Sequence, residues 1–131
     1  MKRDMDLVRK LLMKIEEVYE PGSGKISVSK VMIDGYDAQT VVEHLMLMKE
    51  ADLLQSIDAK TYITGSTVVS IGNLTNKGYD TLEAFKNDTI WNKTKDVVKE
   101  KGLPIIIDVF KDIASSLISS ATEGAIKALK G

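Results

Sequence analysis

Apolar residues open the chain at helical spacing: Leu7, Val8, Leu11, Leu12, Ile15 and Val18 share one stripe, with Arg9, Lys10, Lys14, Glu16 and Glu17 largely outside it. Asp4 stands where an N-cap belongs, and Pro21-Gly22 ends the pattern. The run Lys25 to Ile33, KISVSKVMI, changes apolar phase between Val28 and Val31, which predicts a strand with a bulge or bend near Ser29. Gly35-Tyr36-Asp37 reads as a turn and a cap. It opens a second helix, Thr40 to Leu54 (TVVEHLMLMKEADLL), with Val41, Leu45 and Met48 facing inward and Leu53 following a break at Asp52.

The pattern then turns β-like over Leu53 to Ile57 and Lys60 to Ile71. Gly65-Ser66, flanked by Tyr62, Ile63, Val68 and Val69, predicts a type II′ hairpin turn. Thr75 caps a further helix with Gly78 in its first turn for close approach to the sheet, and with Tyr79, Leu82 and Phe85 toward the core. Asn87-Asp88 breaks and recaps, and Ile90, Trp91, Thr94, Val97 and Val98 form the apolar side of a helix ending at Gly102. Pro104 then suits the first turn of a last helix. That helix carries a wide stripe, Ile106, Val109, Phe110, Ile113, Ala114, Leu117, Ile118, Ala121 and Ala125, which something must cover. Pairing with a second copy is favoured over intrachain packing, and both over a lipid surface. Ile106, Phe110, Ile113, Leu117 and Ala121 are the candidate oligomerisation residues.

With 131 residues and 44% hydrophobic content, the chain suits one compact domain plus an appendage. We divide it into an α+β domain over 1–87, with a small antiparallel sheet, and a C-terminal helical extension over 88–131. A net charge of −1 supplies no general attraction to nucleic acid, so DNA affinity would need a local basic patch. The absence of cysteine excludes disulfides and thiolate metal sites. Charges interrupt the N-terminal stretch, unlike a signal peptide, and Asp108, Lys111, Asp112 and Glu123 break up the most apolar region. A cytoplasmic protein without a membrane span is expected.

The order of the 37–54 helix, a Leu-Leu step into two β-like runs and the phrase LTNKG is that of a winged helix-turn-helix. The β run at Lys25 to Ile33 departs from it by standing where the first helix of such a unit belongs. In DNA-binding members of that class the equivalent helix reads roughly T-V-S-R-H-L-K-L-L-E-E-A-G-L. The chain resembles it at Thr40, Val41, His44, Leu45 and the Ala51 to Leu54 ending. Val42, Glu43 and Met46 stand where Ser, Arg and Lys would meet phosphates. MKRDMDLVRKLLMKIEE, GYD with VVEHLMLMKEADLL, LTNKGYDTLEAFKNDTIWNKTK and GLPIIIDVFKDI resemble a bacterial and phage family, domain of unknown function 2513. The resemblance implies a winged-helix fold and a phage or prophage setting. It implies no activity.

No candidate catalytic, cofactor or metal constellation emerges, and a non-enzyme is expected. PGSGK at Pro21 to Lys25 departs from a phosphate loop at Tyr19 and Ile26 and follows a helix, so it reads as a turn. His44, the only histidine, lacks a second ligand or nucleophile and reads as structural. Trp91, with Lys93 and Lys95 nearby, reads as core ahead of a nucleic-acid platform. Two functions remain. A protein-interaction or regulatory module would use Val42, Glu43, Met46 and Leu47, with adaptable methionine suited to a host or phage protein partner. A DNA-binding transcriptional regulator would use Gln39, Thr40 and Glu43 at base edges and Lys49 and Lys60 on phosphates. From Asp37 to Leu54 one lysine stands against four carboxylates, which favours the first; a homodimer suits both.

Overall fold

The structure, a computed structural model, describes residues 1–130, with side chains as far as Gly124. It is α+β, and it divides into two compact units, Met1–Leu82 and the segment from Glu83 onward. Ala125, expected on the last helix's apolar stripe, has its side chain outside the described residues.

In the first unit, α1 (Met5–Val18) starts on Asp4, whose carboxylate accepts the Leu7 N–H, and it buries Met5, Leu7, Val8, Leu11, Leu12 and Ile15. Each such large aliphatic side chain contributes roughly 1.5–3 kcal/mol when fully buried. Strand β1 is only Ile26–Ser27, and a 3-10 turn, Val28–Val31, takes the rest of the expected strand. The phase change in KISVSKVMI is therefore helical: Val28 and Val31, three apart, are both buried on one side of that turn.

Asp37 accepts the Thr40 N–H to cap α2 (Ala38–Glu50), which buries Val41, His44, Leu45 and Met48. The helix ends in a Schellman motif. The Asp52 N–H donates to the Lys49 carbonyl, the Leu53 N–H donates to the Met48 carbonyl, and Asp52 takes φ 63 where glycine is usual. Strands β2 (Ile57–Thr61) and β3 (Thr67–Ile71) follow, and the antiparallel sheet has the order β1-β3-β2. Their connection is not the expected type II′ turn. The Tyr62 N–H donates to the Ser66 carbonyl and the Gly65 N–H to the Tyr62 carbonyl, which closes a longer loop with Gly65 at φ 86 as its last residue.

The LTNKG phrase locks the next helix, α3 (Asn76–Phe85), to the end of α2. Thr75 accepts the Gly78 N–H as a cap, donates its hydroxyl to the Asp52 carbonyl, and sends its own N–H to the Leu53 carbonyl. A Cβ on Gly78 would lie 2.3 Å from that same Leu53 oxygen, so the close approach is to the chain leaving α2 and not, as expected, to the sheet. Tyr79, expected in the core, is exposed and donates to Asn73 Oδ1. Leu82 and Phe85 are buried as expected.

In the second unit, α4 (Asp88–Lys101) is capped by Asn87 and stopped by Gly102 in the left-handed region. It packs along α5 (Ile107–Lys130). Trp91 is buried between Phe85 and Phe110, at ring-centroid distances of 4.7 and 5.6 Å. Pro104 lies in the connection ahead of α5, outside the first turn expected for it.

Two substitutions test this account by chemical denaturation. Gly78→Ala should destabilise by roughly 1–3 kcal/mol, because the clash with fixed backbone outweighs the better helix propensity. Asp52→Gly should stabilise by roughly 0.5–1 kcal/mol, because it relieves a left-handed non-glycine residue.

Candidate functional site

The surface of α2 is set by what its inner face must do. His44 is fully buried, yet both ring nitrogens are satisfied. Nδ1 lies 2.8 Å from the Thr40 carbonyl, which can only accept, and Nε2 lies 2.9 Å from the Asp4 N–H, which can only donate. The ring is therefore the neutral Nδ1–H tautomer. Asp4 in turn uses both carboxylate oxygens, Oδ1 for the Leu7 N–H and Oδ2 for the Tyr36 hydroxyl at 2.8 Å. The hydrogen bond to Asp4, then burial and the charges of Asp4 and Asp6, raise the Tyr36 phenol to about 12. Lys10 Nζ sits 5.8 Å from the centre of the same ring.

With Val41, His44, Leu45 and Met48 turned in, a turn of about 100° per residue puts Gln39, Glu43, Met46 and Glu50 on the outward ridge. Met46 is half exposed, and Gln39 Nε2 donates to Glu43 Oε1 at 3.4 Å. Of the four interaction candidates, the exposed Met46 and the half-buried Glu43 share this ridge. Val42 and Leu47, both half-buried, fall on its opposite flanks. Lys49 is exposed beside Val42. Hydrogen bonding from the Thr40 N–H holds the Asp37 carboxyl below its ordinary range, so it remains an anion at the start of the helix.

Thr40, half-buried, has its carbonyl occupied by His44. Lys60 is exposed on β2, with its ammonium 5.2 Å from the Tyr62 ring centre. The hairpin that carries Lys60 also presents apolar residues outside the predicted set. Ile63 is wholly exposed there, and Tyr62 and Val68 are exposed beside it. The signal was present, because apolar residues adjoining Gly65 in a tight connection have no core to enter.

The phosphate-loop motif is a turn: Gly22 and Gly24 have φ of 83 and 72, Tyr19 donates to the Gly24 carbonyl, and Lys25 pairs with Asp58. Of the oligomerisation candidates, Phe110 is buried against Trp91, Ile113 and Leu117 are half-buried, and Ile106 and Ala121 are exposed. A groove of about 450 Å³ lies beside α4 and α5, lined by Ile90, Lys93, Ile118 and Ala121 among others. No helix among the described residues is long and apolar enough to cross a membrane.

The model of the family described as Hypothetical protein (DUF2513) matches residues 2–104, a span that includes the Asp4, Tyr36 and His44 network and the whole α2 ridge. The chain belongs to the DUF2513 family. It is also similar to an uncharacterized protein of Haemophilus influenzae (strain ATCC 51907 / DSM 11121 / KW20 / Rd), with 34% identity over 119 residues, which cover 91% of this chain and 97% of the relative. No solved structure matches. In this DUF2513 chain the matched span ends at Pro104, so α5 lies beyond it.

A raised phenol pKa adds stability that is complete below pH 10 and is lost as pH rises through about 12. Phenolate absorbance should therefore show one tyrosine titrating near pH 12 together with alkaline loss of stability. Tyr36→Phe should remove that step and destabilise the protein at neutral pH by about 1 kcal/mol. Persistence of the step in Tyr36→Phe would refute the assignment.

Proposed function

We propose that the first unit is a winged-helix module and that it acts by binding polypeptide through the outward ridge of α2, as an interaction or regulatory protein. The fold reading is supported by the order α1, β1, 3-10 turn, α2, β2, β3 and by the sheet order β1-β3-β2. The functional reading rests on one observation above all: Glu43 and Met46, on the outward ridge, stand where the DNA-binding pattern carries Arg and Lys. Lys49 is the only cation between Asp37 and Leu54. An anionic ridge repels a polyanion, while an exposed methionine between carboxylates suits an apolar anchor with a cationic surround on a protein partner. The hairpin extends the same character, since its tip presents Ile63 and Tyr62 where a phosphate-binding wing would carry cations.

Two measurements test this. A labelled duplex of random sequence, titrated over a salt series, should show no binding even at low ionic strength. Binding that weakens steeply with salt and is lost in Lys49→Glu would instead establish the DNA-binding regulator. Affinity capture from the producing cell should recover a protein with the wild-type chain and lose it roughly tenfold or more with Met46→Asp. Equal recovery with both would remove the ridge from consideration.

A further inference from the structure

We propose that the free edge of β2 pairs with the same edge of a second copy of this chain, antiparallel and centred on Ala59, joining the two three-stranded sheets across a two-fold axis. The order β1-β3-β2 leaves β2 with one neighbour. Its ladder with β3 pairs Ile57 with Ile71 through to Thr61 with Thr67, flanked by the Gly72 N–H to Ser56 carbonyl and Tyr62 N–H to Ser66 carbonyl bonds. Hydrogen-bonded positions alternate in an antiparallel pair, so Asp58 and Lys60 bond to β3. The N–H and C=O groups of Ile57, Ala59 and Thr61 point to the open side. Asp58, Ala59, Lys60 and Thr61 are all exposed, and a row of unpaired main-chain groups is a template for another strand.

Charge selects the partner and the register. Centred on Ala59, the pairing sets Ile57 opposite Thr61 and Asp58 opposite Lys60, twice by symmetry, at the non-hydrogen-bonded positions where side chains approach most closely. The neighbouring two-fold registers fail, because one sets Asp58 against Asp58 and the other Lys60 against Lys60. Lys60, which would guard the edge against an uncharged strand, is complemented by a second copy. Asp58 binds Lys25 through Oδ2, which leaves Oδ1 for Lys60 of the second copy. Ala59 presents the smallest side chain of the strand at the axis. The isologous contact closes on itself and stops at a dimer. It uses β2, not α5.

Sedimentation equilibrium of the full chain, over a series reaching roughly 1 mM, reads this directly. The wild type should approach twice 14.4 kDa. Ala59→Pro removes an outward N–H and no bond to β3, and Lys60→Asp sets carboxylates opposite each other. Each should raise the dimer Kd by roughly tenfold or more with circular dichroism unchanged. If Ala59→Pro fails to fold, Lys60→Asp decides alone. A wild type that stays monomeric throughout, or a dimer that Lys60→Asp leaves intact, overturns the proposal.

Discussion

A buried histidine fixes how the central helix is turned. His44 has no water to fall back on, and leaving either ring nitrogen unpaired in the core would cost on the order of 1–3 kcal/mol. It must therefore sit where Nε2 meets the Asp4 N–H while Nδ1 reaches back one turn to the Thr40 carbonyl. That requirement sets the rotation of α2 about its axis, and the rotation decides which residues the solvent sees. Glu43 and Met46 face outward because His44 faces inward. Asp4 carries the constraint further, since the carboxylate that caps α1 also holds Tyr36, and so anchors the turn from which α2 begins.

The other end of α2 is fixed by backbone. Asp52 accepts a left-handed conformation to finish the helix, and the Leu53 carbonyl it releases is taken by the Thr75 N–H and covered by Gly78. The helix is thus pinned at its start by a polar network and at its end by a tight crossing of two chain segments, with Val41, Leu45 and Met48 packed between. A surface held this firmly presents its side chains in a defined array, which lowers the entropy lost when something binds there.

Much of this was legible in the sequence because it rests on local rules. The caps at Asp4, Asp37, Thr75 and Asn87, the stop at Gly102 and the apolar stripes of the helices follow from spacing and terminal chemistry. Gly78 declared a close contact, but its neighbour is the Leu53 backbone leaving α2 where the sheet was expected. What was missed depends on tertiary partners or on ambiguous periods. Val28 and Val31 fit a bent strand as well as a single 3-10 turn. Gly65-Ser66 suits a two-residue turn until Tyr62 is seen pairing with Ser66. Tyr79 lies on a helical stripe yet stays outside, because its hydroxyl finds Asn73. Nothing in the sequence linked Asp4, Tyr36 and His44, since residues so far apart along the chain meet only once α1 and α2 pack. On α2, spacing grouped Val42, Glu43, Met46 and Leu47, whereas the rotation of the helix puts Val42 and Leu47 on the flanks of the ridge that carries Met46.

The rotation of α2 is the claim on which the exposed ridge depends, and nitrogen-15 NMR of the His44 ring tests it most directly. The account expects a protonated Nδ1 whose hydrogen exchanges slowly with solvent and an unprotonated Nε2 that accepts a hydrogen bond. An Nε2–H tautomer, or a ring whose protons exchange freely with water, would mean that His44 is not clasped between Thr40 and Asp4. The outward face of α2 would then have to be assigned anew.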